Sequence, residues 1–186
     1  MFDFTCYLCG SKNYRQRQGH TRDNANLVPL ECMDCGLVQL SSFDHISPSF
    51  YEDSHMHDNT PVPPELMLQR SQEDTERRLA QFREELHGRK LLDVGCGAGG
   101  FLLAARSYAQ SVCGVEPEKL LAPFFARQGL NVYPSLDAIP PNKSFDIITL
   151  FHVLEHSPNP VDLLASLRIL AGERERERER ESFFVS

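Results

Sequence analysis

Three groups of residues carry types and spacings that do chemistry. Cys6 and Cys9, then Cys32 and Cys35, form two Cys-x-x-Cys pairs, each followed at once by glycine (CYLCG and CMDCG). Two-residue spacing lets one tight turn present both sulfurs to a single ion, and four thiolates suit tetrahedral zinc. A glycine after each pair lets the backbone turn around the metal. Four thiolates would close the coordination shell, so the expected zinc is structural rather than catalytic. The competing reading of such a pair is a redox dithiol. Lys12, Arg15, Arg17 and Arg22 lie between the pairs and could touch a polyanion. Residues 1–40 nevertheless balance four Lys/Arg against four Asp/Glu, so a solvated loop is the expectation. His20, His45, His55 and His57 are read as surface and linker histidines.

The second group is LLDVGCGAGG. An apolar run ends at Asp93, and Gly95, Gly97 and Gly99 then make a turn in which Cys96 and Ala98 are small. A helix follows from Gly100 or Phe101. Glycines let backbone approach a ligand closely. Gly95, Gly97 and Gly100 also satisfy G-x-G-x-x-G, which alone is a weak dinucleotide signal. Asp93 places negative charge where a pyrophosphate would be repelled and a cation favoured, and no basic residue in the turn compensates. SVCGVE ends at Glu116, at the distance where a second strand delivers a carboxylate to ribose hydroxyls. A nucleoside ligand with positive charge in place of phosphate follows, and S-adenosylmethionine is such a molecule. A nicotinamide dehydrogenase is the competing reading of the same letters.

The third group is FHVLEH. His152-x-x-Glu155-His156 spells an inverted zinc-peptidase motif, but such a motif needs a helix, and here it follows a strand-like run. His152 is of the residue type that suits a general base. Glu155 and His156 are equally well read as fixing the loop through hydrogen bonds.

The elements that position these groups alternate. After Pro64, ELMLQRSQEDTERRLAQFREELHG reads as a helix with Leu79, Phe82 and Leu86 at helical spacing and Gly88 as C-cap. KLLDVG, SVCGVE, LNVYP and SFDIITLF read as strands. GFLLAARSYA is helical, Pro117 suits the first turn of a helix running to Gly129 with a kink at Pro123, and Asn159-Pro160 cap and start a last helix, VDLLASLRILA. The fold class expected is α/β, a Rossmann-like, mainly parallel sheet preceded by a small zinc-ribbon-like module. The divisions expected are a zinc-binding module at 1–40, a Ser/Pro/Asp/His-rich linker at 41–64, an incomplete Rossmann domain at 65–172 and a low-complexity tail at 173–186.

Here the chain resembles the class I S-adenosylmethionine-dependent methyltransferases. The resemblance rests on Asp93 to Gly99 (DxGxGxG), Gly114 to Pro117 (GVEP) and Phe145 to His156 (FDIITLFHVLEH), with a zinc-binding segment ending in Cys35-Gly36-Leu37-Val38. It implies that the Asp93–Gly99 loop (Asp93, Gly95, Cys96, Gly97, Gly99) cradles the methionine end of the cofactor and that Glu116 binds the ribose. Ser135 and Leu136 would border the adenine, and Phe151 would lie near the transferable methyl. His152, Glu155 and His156 would sit at the acceptor side, the metal ligands being Cys6, Cys9, Cys32 and Cys35. An O, N or C nucleophile would attack the sulfonium methyl in line, with the protein supplying alignment and a base. Zinc-bearing relatives imply a small-molecule or saccharide acceptor.

Composition bounds the rest. The chain has 186 residues, 41% hydrophobic and 24% charged, with net charge −7, which argues against nucleic acid as a partner. No apolar run approaches the ~20 residues of a bilayer span, and the start lacks a signal-peptide pattern. A reducing compartment, most simply the cytoplasm, is expected, with Cys96 and Cys113 as small apolar fillers. Residues 173–181 read ERERERERE, which an alternating G and A repeat would encode, so a replaced natural continuation after Gly172 is expected. The family sheet has further strands after the last helix. The fourth strand, Asp146 to Phe151, is therefore expected to be a bare apolar edge open to association. The alternative function is a truncated, catalytically inactive methyltransferase-like zinc-binding protein.

Overall fold

The structure is a computed structural model and describes residues 2–19, 21, 26–43, 51–52, 62–172 and 183–185. The readings placed on Arg22, on His20, His45, His55 and His57, on most of the 41–64 linker and on residues 173–182 fall outside the described residues. The chain divides into two compact units, residues 1–47 with 155–165, and residues 48–154 with 166–186.

The first unit holds a three-stranded antiparallel sheet of β1 (Tyr14–Gln16), β2 (Pro29–Cys32) and β3 (Val38–Leu40), in the order β1-β2-β3. Register places Arg15 opposite Glu31 and Leu30 opposite Gln39. The Arg15 guanidinium donates to both Glu31 carboxylate oxygens at 3.0 Å, and Arg17 lies 3.6 Å from the same carboxylate. Two of the four basic residues between the cysteine pairs are thus committed to a cross-strand acid. The core is small: Phe4, Cys6, Leu30 and Cys32, with Phe2, Tyr14, Val28 and Leu37 packed against it.

The second unit is built on a wholly parallel sheet. Its strands are β4 (Lys90–Val94), β5 (Ser111–Val115), β6 (Val132–Tyr133), β7 (Ile147–Leu150) and β8 (Phe183–Val185), in the order β6-β5-β4-β7-β8. Helices α1 (Pro64–Arg70), α2 (Gln72–Phe82), α3 (Gly100–Ala105) and α4 (Ala122–Gln128) belong to it, and α5 (Pro160–Leu170) runs back into it. After β6 the chain crosses to the far side of β4, so the order reverses between β4 and β7. Ligands of open α/β sheets bind at the carboxyl ends of the strands beside such a reversal. The core is Phe82, Leu86, Leu91, Phe101, Leu102, Leu121, Phe124, Phe125, Ile147 and Phe151 with their smaller neighbours. β7 is buried along its whole length, as a near-continuous apolar run in a parallel sheet should be. Among the described residues no helix is long and apolar enough to cross a membrane.

Several expectations are corrected in detail. The helix after Pro64 is two helices meeting at Ser71, whose hydroxyl turns back to the Leu68 carbonyl at 3.3 Å. Gly88, with φ +69°, lies six residues beyond the end of α2 rather than capping it. The helix expected from Pro117 begins as a 3-10 turn over Lys119–Leu121 and becomes α4 at Ala122. Pro123 therefore sits in the first turn of α4, where its missing N–H costs nothing, and makes no kink. The Asn159 cap is present: its Oδ1 accepts from the Asp162 N–H at 3.2 Å.

The largest correction concerns the sheet edge. β8 pairs with β7, Ile148 opposite Phe183 and Leu150 opposite Val185. The fourth strand is therefore not a bare edge, and residues 183–185 of the expected low-complexity tail are a strand. Ladder bonds satisfy the backbone groups that an uncovered β7 would present to another chain.

Candidate functional site

The turn from Gly95 to Gly99 hangs from the end of β5. The Gly95 and Cys96 N–H groups both donate to the Val115 carbonyl, at 2.8 and 3.1 Å, and the Gly99 N–H closes the turn on the Cys96 carbonyl at 2.9 Å. Gly95, Gly97 and Gly99 all have positive φ, at +70°, +52° and +78°. Among the described residues, no atom lies within 4 Å of where a Gly97 Cβ would be, which leaves space beside that residue for a ligand. At Gly95 a Cβ would stand 2.6 Å from Val153 Cγ2, and at Gly99 2.7 Å from Leu130 Cδ1. Glycine is required at these two places for space as well as for conformation. Cys96 is buried and plugs the gap toward β5, its sulfur 2.7 Å from where a Gly114 Cβ would be.

Glu116 stands just past β5. One carboxylate oxygen accepts from the Gly97 N–H at 2.8 Å and the other from the Glu118 N–H at 3.0 Å. Each oxygen keeps a further acceptor site. Burial raises the Glu116 carboxyl above its ordinary range, and the two N–H donors pull against that. Asp93 is buried at the end of β4, with 3% of its surface exposed. The Thr149 hydroxyl on β7 lies 2.7 Å from Asp93 Oδ1. Burial pushes the Asp93 carboxyl up to about 7, against the downward pull of Thr149 and Arg78 and with the upward push of Glu116. Two carboxyl groups disfavoured by burial, Asp93 also by Glu116 and Glu116 also by Glu118, form a site that a cation would relieve. The residues present therefore fit a cationic nucleoside: acceptors for hydroxyls, a glycine turn with room beside it, and two carboxyl groups with one arginine, Arg78, acting on Asp93.

The remaining candidates are placed as follows. Ser135 is exposed and leads into a 3-10 turn over Leu136–Ala138, with Leu136 half-buried. The Phe151 ring is buried, edge-on to Phe101 at 5.2 Å and tilted on Phe82 at 6.0 Å. His152 is exposed, and its φ of +57° makes it the one non-glycine residue in the left-handed region among those described. Glu155 and His156 lie in a 3-10 turn over Leu154–His156 and belong to the other unit. The His-Val-Leu-Glu-His letters thus span a strand end and a short turn, which removes the helix that a zinc peptidase needs.

Sequence reasoning missed two residues here. Thr149, fully buried, was legible only as the one polar residue in the run IITLF. Arg78 on α2 lies with its guanidinium 4.3 Å from the Phe151 ring centroid and 3.8 Å from Asp74, and its buried Nε has no partner among the described residues. Nothing in a charged helical segment marks that arginine from its neighbours.

In the first unit the Sγ atoms of Cys6, Cys9, Cys32 and Cys35 all lie within 4.8 Å of one another, with Cys6–Cys35 and Cys9–Cys32 at 3.5 Å. A tetrahedron with about 2.3 Å from metal to sulfur has edges of about 3.8 Å, so the donor set fits zinc. Both knuckles close alike: the Gly10 N–H reaches the Cys6 carbonyl and the Gly36 N–H the Cys32 carbonyl, each at 2.9 Å. Both glycines have left-handed φ, at +72° and +79°. Burial raises the Cys32 thiol, but the Cys35 and Asp34 N–H groups and the neighbouring thiols bring it down to about 7.

A reversing parallel sheet with a glycine turn on its first strand and a carboxylate after its second defines a Rossmann-like α/β domain. A family described as Methyltransferase domain matches residues 68–173, and the chain belongs to that family. The tRNA U34 carboxymethyltransferase of Pseudoalteromonas translucida (strain TAC 125) is 35% identical over 100 residues, covering 49% of this chain and 31% of that one. The ubiquinone biosynthesis O-methyltransferase of Actinobacillus pleuropneumoniae serotype 5b (strain L20) is 30% identical over 105 residues, covering 50% of this chain and 45% of that one. The chain thus spans about a third to under half of the length of these curated relatives. Magnesium protoporphyrin IX methyltransferase from Synechocystis PCC 6803, solved with bound SAM, shares the fold at a TM-score of 0.50 and 16% identity, over 70% of this chain and 72% of that one. Relatives named for tRNA overturn the expectation that net negative charge argues against nucleic acid. Net charge sums over the whole surface, whereas an acceptor meets only one local part of it.

Proposed function

We propose that the second unit binds S-adenosylmethionine at the carboxyl ends of β4, β5 and β7 and serves transfer of its methyl group. The observation that carries this reading is Glu116 held by the Gly97 and Glu118 N–H groups beside the buried Asp93 carboxyl. The turn of Asp93, Gly95, Cys96, Gly97 and Gly99 would face the methionine end and Glu116 the ribose, with Ser135 and Leu136 beside the adenine. Phe151, its ring already committed to the core, would contribute through its backbone at the end of β7. His152 is the proposed base for the acceptor proton. Bound S-adenosylmethionine supplies an electrophilic methyl on a sulfonium, and the chain supplies alignment and the base.

The names of the relatives divide on the acceptor, a tRNA in one group and an O-methylated precursor in ubiquinone biosynthesis in the other. Cys6, Cys9, Cys32 and Cys35 are proposed to hold one structural Zn²⁺ in a module over 1–40, joined by 41–64 to the methyltransferase domain that begins at 65, in a reducing compartment. Calorimetric titration of the zinc-loaded chain tests the binding reading. Saturable heat with S-adenosylmethionine and none with NAD is expected, and absence of heat at high micromolar S-adenosylmethionine overturns it. Transfer of labelled methyl to bulk tRNA against a phenolic acceptor then assigns the acceptor class.

A further inference from the structure

His152 has a backbone conformation that its residue type does not favour. Its φ of +57° lies in the left-handed region, which glycine enters freely and other residues enter at a cost. A residue held there is over-determined by its surroundings, and such residues cluster at functional sites. Glycine would make the same turn without strain, but it would bring no imidazole. The residues on either side of His152 show what holds it.

Before it stands Phe151, whose buried ring is edge-on to Phe101 at 5.2 Å and tilted on Phe82 at 6.0 Å. The Arg78 guanidinium lies 4.3 Å from the centroid of the same ring. Arg78 and Phe82 are four residues apart on α2 and share one face of that helix, so α2 and α3 fix Phe151 together. After His152 comes Val153, half-buried, whose Cγ2 lies 2.6 Å from where a Gly95 Cβ would be. Apart from the two chain neighbours of Gly95, Val153 alone among the described residues comes within 4 Å of that point. The methyl therefore fills the space that glycine leaves in the turn. The turn itself stands on its own bonds, from the Gly95 and Cys96 N–H groups to Val115 and from the Gly99 N–H to Cys96. His152, exposed, is carried between a ring locked into the core and a methyl seated on the glycine turn.

We propose that Val153 is a positioning residue: its Cγ2 methyl, seated against Gly95, keys the left-handed His152 to the cofactor turn and so places the imidazole relative to the bound methyl donor. The inference rests on the reading that this turn takes S-adenosylmethionine and that His152 is the base. It adds that donor and base share one mechanical reference, the backbone at Gly95. Without the seat, the segment after Phe151 has lost one of its two anchors, and the imidazole no longer stands in a fixed place against the cofactor.

The test follows the His152 imidazole by NMR in the zinc-loaded full chain. Its Cε1–Hε1 signal is assigned, among the seven histidines, as the one missing from His152→Ala. Titration with S-adenosylmethionine should move that signal along a saturating curve. In Val153→Ala the calorimetric Kd should change by less than about threefold, since the turn keeps its bonds, while the His152 shift is lost. Val153→Ile keeps a Cγ2 methyl and should restore the shift. His152→Gly should melt about 2–4 °C above His152→Ala, because only glycine takes the left-handed conformation without cost. A His152 shift that survives in Val153→Ala, or fails to return in Val153→Ile, overturns the proposal while leaving cofactor binding intact. So does a His152 signal that ignores bound S-adenosylmethionine in the unaltered chain, or an alanine variant that melts with the glycine one. Failure of the unaltered chain to bind S-adenosylmethionine overturns the binding reading itself.

Discussion

Glu116 uses one acceptor site on each oxygen to tie the turn to the end of β5, which leaves each oxygen a further acceptor site. Glu116→Gln replaces one acceptor with a donor, so a backbone N–H would face an NH₂ or a ribose hydroxyl would lose its charged partner. A hydrogen bond to a charged group is worth about 1.5–3 kcal/mol, so affinity for S-adenosylmethionine and S-adenosylhomocysteine should fall together by roughly 10- to 100-fold. Unchanged affinity for both would remove Glu116 from the site. Asp93 makes a different prediction, on stability. Its carboxyl is raised from the ordinary 3.8 to about 7, so the folded chain binds the proton that the unfolded chain has lost. The ligand-free protein should therefore lose stability as pH rises from about 4 to about 7, by an amount of order a few kcal/mol, and level off above. Asp93→Asn should flatten that slope in urea unfolding, and a slope of the opposite sign would count against a buried neutral acid. Asp93 and Glu116 were legible because spacing from a glycine turn fixes them. Arg78 and Thr149 were not, since their importance comes from which strand or helix they face across the sheet.

Elements in the two units are held by different means. β1, β2 and β3 are three or four residues long, and two of the four residues in their buried core are cysteines. A sheet that small does not bury enough apolar surface to fold alone, and the proposed zinc would supply the difference. One zinc per chain is expected by metal analysis. Chelation, or Cys32→Ser, should collapse the dispersed NMR signals of β1, β2 and β3 while those of β4, β5 and β7 persist. Dispersion that survives chelation would mean that the sheet stands without its metal. The parallel sheet depends instead on close packing. Gly114 lies in β5 with Cys96 Sγ 2.7 Å and Leu102 Cδ1 2.8 Å from where a Cβ would be, so Gly114→Ala overpacks the core and should cost about 1–3 kcal/mol. The order of these elements was readable from alternation of apolar runs and helical spacing. Their ends were less so: β6 keeps only Val132–Tyr133 of LNVYP, and α3 stops at Ala105, because edge pairing and packing set these limits rather than propensity.

At the scale of the whole molecule, the strand that sequence could not foresee is the one at the sheet edge. β7 is buried along its length and pairs with β4 on one side and β8 on the other. Local sequence offered no reason to pair SFFVS with FDIITL, since the intervening Glu-Arg run carries no turn signal and the contact spans more than thirty residues. The pairing has a consequence that can be measured. Ending the chain at Gly172 removes β8 and leaves the outward N–H and C=O groups of an apolar strand unpaired, which is a template for association. The same change takes away five Glu and four Arg, so net charge moves only from −7 to −6 and mutual repulsion between chains is nearly unchanged. Concentration-dependent self-association by sedimentation velocity is therefore expected from the shortened chain and not from the full one. A shortened chain that stays monodisperse at the same concentrations would show that β8 contributes little to covering that edge.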